Sequence, residues 1–409
     1  MAISHIKPCS LTLIFNKKRG CITNRSRTSF KEESYMKTRI TELFGIQHPI
    51  VLSGMSWISV PKMVAAVSNA GGLGILATGP FDAAQTREAI REIKSLTDKP
   101  FGTNATLLFP GASENAMVAL EEKVPVINFA LGKGDWIVNE AHKYGGKVVA
   151  TVVNHKHAKR AQDYGCDALL VTGHEAAAHG GDATTLCLVP SIASAVDIPI
   201  IAAGGIADGR GLAAALALGA EAAAMGTRLM ATRESPLHDA YKNLSVEKDV
   251  YDTLYSTRFD GLGCRVLDTK AARNAIRQGM NIRKLIEALP NSVVIAKQLH
   301  LPYLKLFIGV MASGWKNAKQ LAFMANAFKA IRVATEDGDV TSGVLPVGQA
   351  TGLLKDIPTV AEAIERTVRE AEAIAKELAK KAGAAPVITV SEKPKTNTGR
   401  KASPKAQKK

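Results

Sequence analysis

Short apolar runs alternate with amphipathic segments along the middle of the chain. The runs span four to seven residues and are bounded by Gly, Pro or polar residues, as is typical of strands buried on both faces. There are eight of them: Ile50–Ser53, Leu73–Ala77, Phe101–Ala105, Val124–Ala130, Lys147–Val153, Ala168–Thr172, Ile198–Ala203 and Ala222–Thr227. Apolar residues three and four apart predict intervening helices such as Ala83–Leu96, Trp136–Tyr144, His155–Tyr164 and Arg210–Leu218. This order predicts an α/β fold, with a parallel TIM (β/α)8 barrel as first choice and a doubly wound open sheet as second.

A different pattern follows the eighth run. Residues 234–345 contain helical patterns, for example at Thr269–Gly279 and Trp315–Ile331, without a clear strand. We interpret this region as a helical insertion that caps the mouth of a barrel formed by residues 36–233.

The C-terminal segment, residues 346–382, contains the strongest helix pattern of the chain, over residues 359–382. Glu362–Arg366 and Glu365–Arg369 are spaced for i,i+4 ion pairs on that helix. We expect the helix to pack on the exterior of the barrel.

Composition indicates a large folded body with two basic ends. Hydrophobic residues make up 46% and charged residues 22% of the 409 residues, so the chain can bury a sizeable core. No run of about 18 apolar residues predicts a membrane span. The net charge is +15, but residues 1–31 carry +7 and residues 391–409 carry +6, which leaves +2 between them. Because the body is nearly neutral, we expect no specific nucleic-acid partner and no membrane association.

The two ends differ from the body. Residues 1–35 fit either an organelle transit peptide or a basic upstream extension ahead of Met36. Residues 383–409 are expected to form a disordered basic tail. Five scattered cysteines show neither disulfide nor zinc spacing, which indicates a reducing compartment. We predict a cytoplasmic protein, or an organellar one if the first segment is a transit peptide.

Glycines follow two consecutive predicted strands. Strand 7 ends at Gly204 and Gly205, and strand 8 runs into Gly226 and Thr227. TIM barrels commonly bind phosphate at the loops after these two strands. Bare backbone N–H groups can approach an anion closely, and the threonine can add a hydroxyl. The alternative is that the glycines only form tight turns, but two such sites in this order favour phosphate binding.

The loop after predicted strand 6 is rich in ionisable residues. Residues 172–182 include two histidines, a glutamate and an aspartate among Gly and Ala. His179 lies in the glycine-flanked part, where an imidazole can exchange a proton near neutral pH, and we predict it as the catalytic residue. Metal binding by His174, Glu175 and His179 is an alternative, but the spacing matches no standard zinc motif, so we assign no metal site.

Two further signals come from strands 1 and 3. Gly54 and Met55 follow strand 1, where bare backbone would let a flat cofactor ring approach. Asn104 ends strand 3 and would present an amide to the mouth. Each could equally form a turn or a buried hydrogen bond.

In this order the motifs resemble the nitronate monooxygenase family, formerly called 2-nitropropane dioxygenases, which also includes flavin-type enoyl-[acyl-carrier-protein] reductases. The resemblance covers residues 38–380. Besides the loops already described, it rests on Pro49-Ile50-Val51, Ala70-Gly71-Gly72-Leu73-Gly74 and Val347-Gly348-Gln349-Ala350-Thr351-Gly352-Leu353.

The resemblance implies an oxidoreductase that holds FMN non-covalently in a TIM barrel. His179 matches the catalytic histidine of the family, a base in nitronate oxidation or a proton donor in enoyl reduction. Ten positions match its cofactor-binding residues: Gly54, Met55, Asn104, Glu175, Gly180, Gly181, Gly204, Gly205, Gly226 and Thr227. Those after strands 7 and 8 would hold the phosphate, those after strands 1 and 3 would line the flavin, and those after strand 6 would lie close to it.

The chain departs from the family pattern at two places. Ala177 and Ala178 stand where the family usually has glycines, and residues 128–134 lack a histidine that some nitronate oxidisers carry. We expect oxidation of alkyl nitronates with O₂ as the activity. The alternative is NAD(P)H-dependent reduction of an enoyl thioester, such as enoyl-ACP, or of a quinone. A third hypothesis is a non-redox phosphate-binding barrel, such as a lyase or isomerase, or a binding protein without catalysis. No GxGxxG follows a strand, so NAD(P)H would act as a transient co-substrate.

Overall fold

The computed structural model describes residues 36–300, 303–312 and 314–383. Its strands are β1 (Ile50–Leu52), β2 (Leu73–Ala77), β3 (Phe101–Thr106), β4 (Val126–Ala130), β5 (Lys147–Val152), β6 (Ala168–Thr172), β7 (Ile200–Ala203) and β8 (Ala222–Ala224), followed by β9 (Thr253–Ser256) and β10 (Cys264–Leu267). The first eight are parallel and pair in chain order, and β8 pairs with β1 to close the ring. The predicted TIM barrel is confirmed.

A helix follows each of the eight barrel strands, and further helices precede and follow the barrel. The helices are α1 (Arg39–Phe44), α2 (Pro61–Asn69), α3 (Ala83–Leu96), α4 (Ala112–Glu121), α5 (Asp135–His142), α6 (His155–Asp163), α7 (Thr185–Ala193), α8 (Gly209–Ala217), α9 (Gly226–Met230), α10 (Asp239–Glu247), α11 (Lys270–Gln278), α12 (Ile282–Gln298), α13 (Tyr303–Ala312), α14 (Trp315–Arg332) and α15 (Val360–Lys381). Capping boxes at Thr38, Asp82 and Thr359 fix the starts of α1, α3 and α15, because they satisfy first-turn N–H groups.

The core has two layers. One fills the barrel interior and includes Val51, Leu73, Ile75, Val149, Leu170 and Ile201. The other lies between the barrel and its helices and includes Leu52, Leu76, Ile127, Val148, Leu169 and Ile200. Successive strand residues point to opposite faces, so alternate residues of one run fill different layers. The runs are therefore continuously apolar rather than alternating.

The eighth strand is shorter than the predicted run Ala222–Thr227. It ends at Ala224, the last residue that pairs with β1 and β7. The chain then turns at Met225 into α9. Gly226 and Thr227 thus begin a helix at the barrel rim instead of ending a strand.

The C-terminal helix α15 packs outside the barrel against α8 and α2, as predicted. The contact with α8 is close, since a Cβ added to Gly209 would lie 2.5 Å from the backbone N of Ala371. Neither ion pair predicted on α15 forms. Arg366 instead binds Asp356 at 2.7 Å, because that carboxylate lies beside it at the entry to the helix.

The cap between β8 and α15 is mainly helical, as predicted, but it also contains two short strands that the sequence pattern did not reveal. Strands β9 and β10 form an antiparallel hairpin in which Cys264 pairs with Ser256. Each strand is only four residues long, and β9 is uniformly half-buried, so neither produces an alternating pattern in the sequence. The hairpin packs beside the barrel mouth and contributes to the site described below.

Within the described ranges, no helix combines the length and the apolarity needed to cross a bilayer. The predicted extension at residues 1–35 and, apart from Gly383, the predicted tail at 383–409 lie outside those ranges. The predicted compartment stays a prediction.

Candidate active site

A cavity of about 650 Å³ opens at the carboxyl ends of the barrel strands. Its walls come mainly from the strand ends and loops of β1 and of β3 to β8, with part of α6, and the cap covers it with Met324, Ala327, Phe328 and Ile331. Phe328 packs its ring 5.5 Å from Trp57 and 5.2 Å from Phe109, between ring centroids. These aromatic contacts join α14 of the cap to the loops after β1 and β3, so the cavity is walled by both parts of the molecule.

Bare backbone faces the cavity after β7 and β8. Gly204 and Gly205 have φ angles of +114° and +74°, which L side chains rarely adopt. A Cβ added to Gly226 would lie only 3.3 Å from Sδ of Met55. Thr227 accepts a hydrogen bond from the backbone N of Gly348 at 3.1 Å, which leaves its own hydroxyl proton to donate. All four predicted phosphate-binding residues line one end of the cavity, and their chemistry suits an anion.

The predicted residues after β1 and β3 also line the cavity. Gly54 lies so close to Asn104 that an added Cβ would be 2.5 Å from the Asn104 Cβ. The Asn104 amide donates to Oδ1 of Asn128 at 2.5 Å, and the Asn128 amide donates to Oγ1 of Thr151 at 3.0 Å. This polar ladder crosses β3, β4 and β5 and fixes the Asn104 amide against the cavity.

The loop after β6 is held from two sides. The Glu175 carboxylate accepts hydrogen bonds from the backbone N and the hydroxyl of Thr185, at 2.8 and 2.9 Å. The Glu175 carbonyl accepts from the backbone N of Gln349 at 2.9 Å, and a Cβ on Gly348 would lie 2.8 Å from that same oxygen. Glu175 therefore lines the cavity with its carboxylate fixed by Thr185.

His179, the predicted catalytic residue, pairs with a carboxylate from the cap. Its Nε2 lies 2.6 Å from Oδ2 of Asp260, whose side chain is 9% exposed. An ionised carboxylate only accepts hydrogen bonds, so Nε2 carries the proton in the neutral imidazole. No residue of the described ranges hydrogen-bonds to Nδ1. Nδ1 is therefore the nitrogen left for a reacting group in the cavity.

Cys264 completes this cluster without adding a nucleophile. Burial, together with the neighbouring Asp260 carboxyl, raises the pKa of the Cys264 thiol well above its usual value. The side chain is therefore a neutral thiol beside Asp260, where a reactive thiolate is disfavoured.

Gly180 and Gly181 lie beside the cavity and do not line it. Gly180 packs on the carbonyl of Gly173, and its own carbonyl accepts a hydrogen bond from the Tyr255 hydroxyl at 2.9 Å. Ala178, at φ +53°, exchanges two backbone hydrogen bonds with Arg265 of the hairpin, at 3.2 and 3.1 Å. The glycine-flanked loop is thus docked on β9 and β10, and its glycines allow the close approach.

The alternative metal set, His174, Glu175 and His179, is not brought together. Nδ1 of His174 lies 2.9 Å from the carbonyl of Gly181, and its ring packs on Tyr255. In the described part of the chain, the trio with ligand atoms within 4.8 Å of one another is His179, Asp260 and Cys264. We assign no ion to this trio, because the ligand atoms of His179 and Asp260 already hydrogen-bond to each other.

Comparison with known proteins identifies the family. The sequence model described as nitronate monooxygenase matches residues 37–119 and 111–370. The chain belongs to the nitronate monooxygenase family. Its relatives are oxidoreductases, and this chain is an oxidoreductase of the flavin type.

Three relatives illustrate its place in the nitronate monooxygenase family. The "(3aS,4S,5R,7aS)-5-hydroxy-7a-methyl-1-oxo-octahydro-1H-indene-4-carboxyl-CoA dehydrogenase" of Rhodococcus jostii is 37% identical over 341 residues, which are 83% of this chain and 96% of the relative. A nitronate monooxygenase of Paraburkholderia phytofirmans is 32% identical over 274 residues, 55% of this chain and 75% of the relative. The structure of FabK from Thermotoga maritima is 36% identical with a TM-score of 0.71, and the match covers 84% of this chain and 99% of that one.

Sequence reasoning missed three residues of the site. Asp260 is a lone acid in the run Phe259-Asp260-Gly261-Leu262-Gly263, and nothing local marks it as the partner of His179. Tyr255 lies in a strand that was not predicted. Gly348 lies in a run used for the resemblance, but nothing in that run indicates that it packs against Glu175.

Proposed function

We propose that the protein is an FMN-dependent oxidoreductase that acts on the acyl group of a coenzyme A thioester. The observation that carries the proposal is His179, held by Asp260 and left with a free Nδ1 in a largely apolar cavity. Such an imidazole can give or take one proton at a carbon atom of a bound substrate.

FMN fits the residues present. Gly204, Gly205 and Gly226 leave room for an anion at one end of the cavity, and Thr227 can donate a hydroxyl proton to it. Gly54 and Asn104 offer a flat, close-packed wall on the side of β1 and β3. When bound there, FMN would supply hydride transfer, while the protein supplies position and proton.

The role of His179 follows from the chemistry of thioesters. The carbon next to a thioester carbonyl is the acidic position of an acyl chain, and it gains a proton when the neighbouring double bond is reduced. As the imidazolium, with both nitrogens protonated, His179 would donate that proton from Nδ1, and as the neutral imidazole it would accept it there in the dehydrogenation direction, while Asp260 holds the ring through Nε2. Asp260 is thus a positioning residue.

The substrate class is supported by the comparisons. The chain aligns with 96% of a relative whose name states a carboxyl-CoA dehydrogenase, at 37% identity. The cavity, at about 650 Å³, lies within the range of ligand pockets. Leu345, Met324 and Phe328 line it and suit a bulky apolar acyl group.

Oxidation of alkyl nitronates with O₂ is the second candidate. It is favoured by the description of the family model and by the 32% identity to a nitronate monooxygenase. In that reaction Nδ1 of His179 would lie beside the nitro group. The two candidates share the cofactor and the imidazole and differ in substrate.

An anaerobic half-reaction series separates the candidates. FMN-loaded protein is expected to be yellow, to be bleached by NADH or NADPH, and to be reoxidised without O₂ by 2-butenoyl-CoA. Stopped-flow absorbance of the flavin gives each rate, with butanoyl-CoA as the saturated control. Bleaching by propyl-2-nitronate alone, with no reoxidation by the enoyl thioester, would reject the thioester proposal in favour of nitronate oxidation.

Replacing Asp260 with Asn is expected to mix the two tautomers of His179, because the amide can either accept or donate a hydrogen bond at Nε2. The rate of flavin reoxidation should fall by about 10-fold, the lower end of the effect when an imidazole loses its carboxylate partner. Imidazole ¹⁵N chemical shifts report the tautomer directly, with His179→Gln for assignment. Asp182→Asn, at an exposed acid of the same loop, is the control; an unchanged tautomer in Asp260→Asn would contradict the assigned role.

A further inference from the structure

The cavity continues beyond the barrel mouth into a side groove between β5 and α6. We define this side groove by its floor, Phe129, Ala150, Val152 and Ala161, and by its rim, Lys133, His157 and Arg160, all of which line the same cavity. Ala150 and Val152 belong to the layer between barrel and helices, whereas Val149 points into the barrel interior. The side groove therefore lies outside the strand ring, and it joins the mouth beside the loop after β4.

One face of α6 builds the outer wall. His157, Arg160, Ala161 and Tyr164 are spaced i, i+3, i+4 and i+7, so they share one side of the helix. Ala161 is 3% exposed and belongs to the floor, while His157 and Arg160 are exposed at the rim. The side groove is thus apolar below and basic above.

The rim cations are not neutralised by ion pairs in the described ranges. Neither Lys133 nor Arg160 lies within 4.0 Å of a carboxylate oxygen. The two acids of the cavity lining are Glu175, bound to Thr185, and Asp260, bound to His179. Because no carboxylate of the described ranges pairs with Lys133 or Arg160, these two cations can bind an anion from outside.

This anion would differ from the one proposed to bind at Gly204, Gly205, Gly226 and Thr227, which we call the glycine cradle. Lys133 follows β4 and α6 follows β5, about half a turn of the eight-stranded ring from β8. A flavin phosphate held at Gly204 and Gly226 would occupy the opposite side. The substrate of the site would thus bring the second anionic group.

We propose that Lys133, His157 and Arg160 bind the phosphate groups of coenzyme A, with the pantetheine arm lying in the side groove and the acyl group at His179. The proposal rests on the proposed thioester activity. Pantetheine is an extended chain of methylene groups and amides, which suits an apolar floor, and its diphosphate carries the charge that guanidinium and ammonium groups recognise. The carboxyl-CoA relative supports this carrier over others.

Binding of free CoA tests the proposal independently of turnover. Calorimetric titration of the FMN-loaded protein would compare CoA, 4′-phosphopantetheine and pantetheine. We expect CoA to bind at least about 10-fold more tightly than pantetheine, with an affinity that falls as salt is raised. In the double variant Lys133→Glu/Arg160→Glu, CoA affinity should fall by about 100-fold while pantetheine affinity is unchanged.

Lys156→Glu/Lys159→Glu is the matched control, because it also reverses two cations and both lysines are exposed neighbours on α6 that do not line the cavity. Equal losses in this control and in Lys133→Glu/Arg160→Glu would overturn the proposal, since only the overall charge would then matter. Equal affinities of wild-type protein for CoA and pantetheine would also overturn it. If 4′-phosphopantetheine binds as tightly as CoA, the site recognises the phosphopantetheine arm alone, and the assignment to CoA is wrong.

Turnover separates this proposal from the proposed function. With 2-butenoyl-CoA, the double variant should show a raised KM and an unchanged kcat, and with 2-butenoyl-pantetheine it should match wild type. If neither thioester reoxidises the flavin, the proposed function fails while the CoA titration still decides the site. If both thioesters reoxidise the flavin and Lys133→Glu/Arg160→Glu changes neither reaction, the side groove proposal fails and the proposed function stands.

Discussion

Replacing His179 with Gln is expected to lower the rate of flavin reoxidation by 2-butenoyl-CoA by about 10²- to 10⁴-fold, the usual contribution of a positioned acid or base. Glutamine keeps a hydrogen-bonding amide near Asp260 but cannot exchange a proton near neutral pH. FMN content should stay at the wild-type level, because the predicted phosphate-binding residues belong to other loops. Anaerobic stopped-flow absorbance measures the rate, and the flavin-to-protein absorbance ratio measures the content.

The control for this variant is His174→Gln in the same loop. His174 contacts the Gly181 carbonyl and the Tyr255 ring and does not line the cavity. Its replacement reports how much a disturbed loop alone costs. Equal losses in the two variants would show that His179 acts through loop structure, and a fully active His179→Gln would remove it from the chemistry.

The barrel could be predicted because each strand carries its signal locally. A run such as Leu73–Ala77 is apolar at every position because one set of side chains fills the interior and the other meets the helices. The glycines after β7 and β8 are also a local signal. Glycine is required there by the positive φ angles of Gly204 and Gly205 and by the close approach of neighbouring atoms. Barrel geometry then brings the ends of sequential strands together at one face.

The partner of His179 could not be predicted from local pattern. Asp260 is 81 residues away in sequence and reaches the imidazole only because the hairpin docks on the loop after β6. A carboxylate on a short irregular segment looks like any solvated acid until its neighbours are known. The ion pair of α15 shows the same limit. Arg366 binds Asp356 and not Glu362, because the fold places the Asp356 carboxylate beside it.

The division between barrel and cap has a chemical consequence. The barrel alone supplies the glycine cradle, the Asn104 ladder and the imidazole, whereas the cap supplies the carboxylate that orients the imidazole. Because the hairpin is fixed to the loop by Ala178 and Arg265, the pair forms only when the cap is in place. Cofactor binding and orientation of the reacting nitrogen are therefore supplied by different parts of the molecule.

Replacing Gly226 with Leu is expected to weaken FMN binding by about 100-fold, equal to about 2.7 kcal/mol. Even a Cβ here would lie 3.3 Å from Sδ of Met55, and a longer side chain must enter the cavity where the phosphate is proposed. Quenching of flavin fluorescence during titration of the apoprotein gives the affinity, and circular dichroism checks the fold.

Gly79→Leu is the matched control, since Gly79 lies near the same rim outside the cavity lining and a Cβ there would meet Oγ of Ser56 at an ordinary 3.6 Å. Wild-type affinity in Gly226→Leu, or an equal loss in Gly79→Leu, would mean that the anion is held elsewhere and that the glycines after β7 and β8 only shape turns.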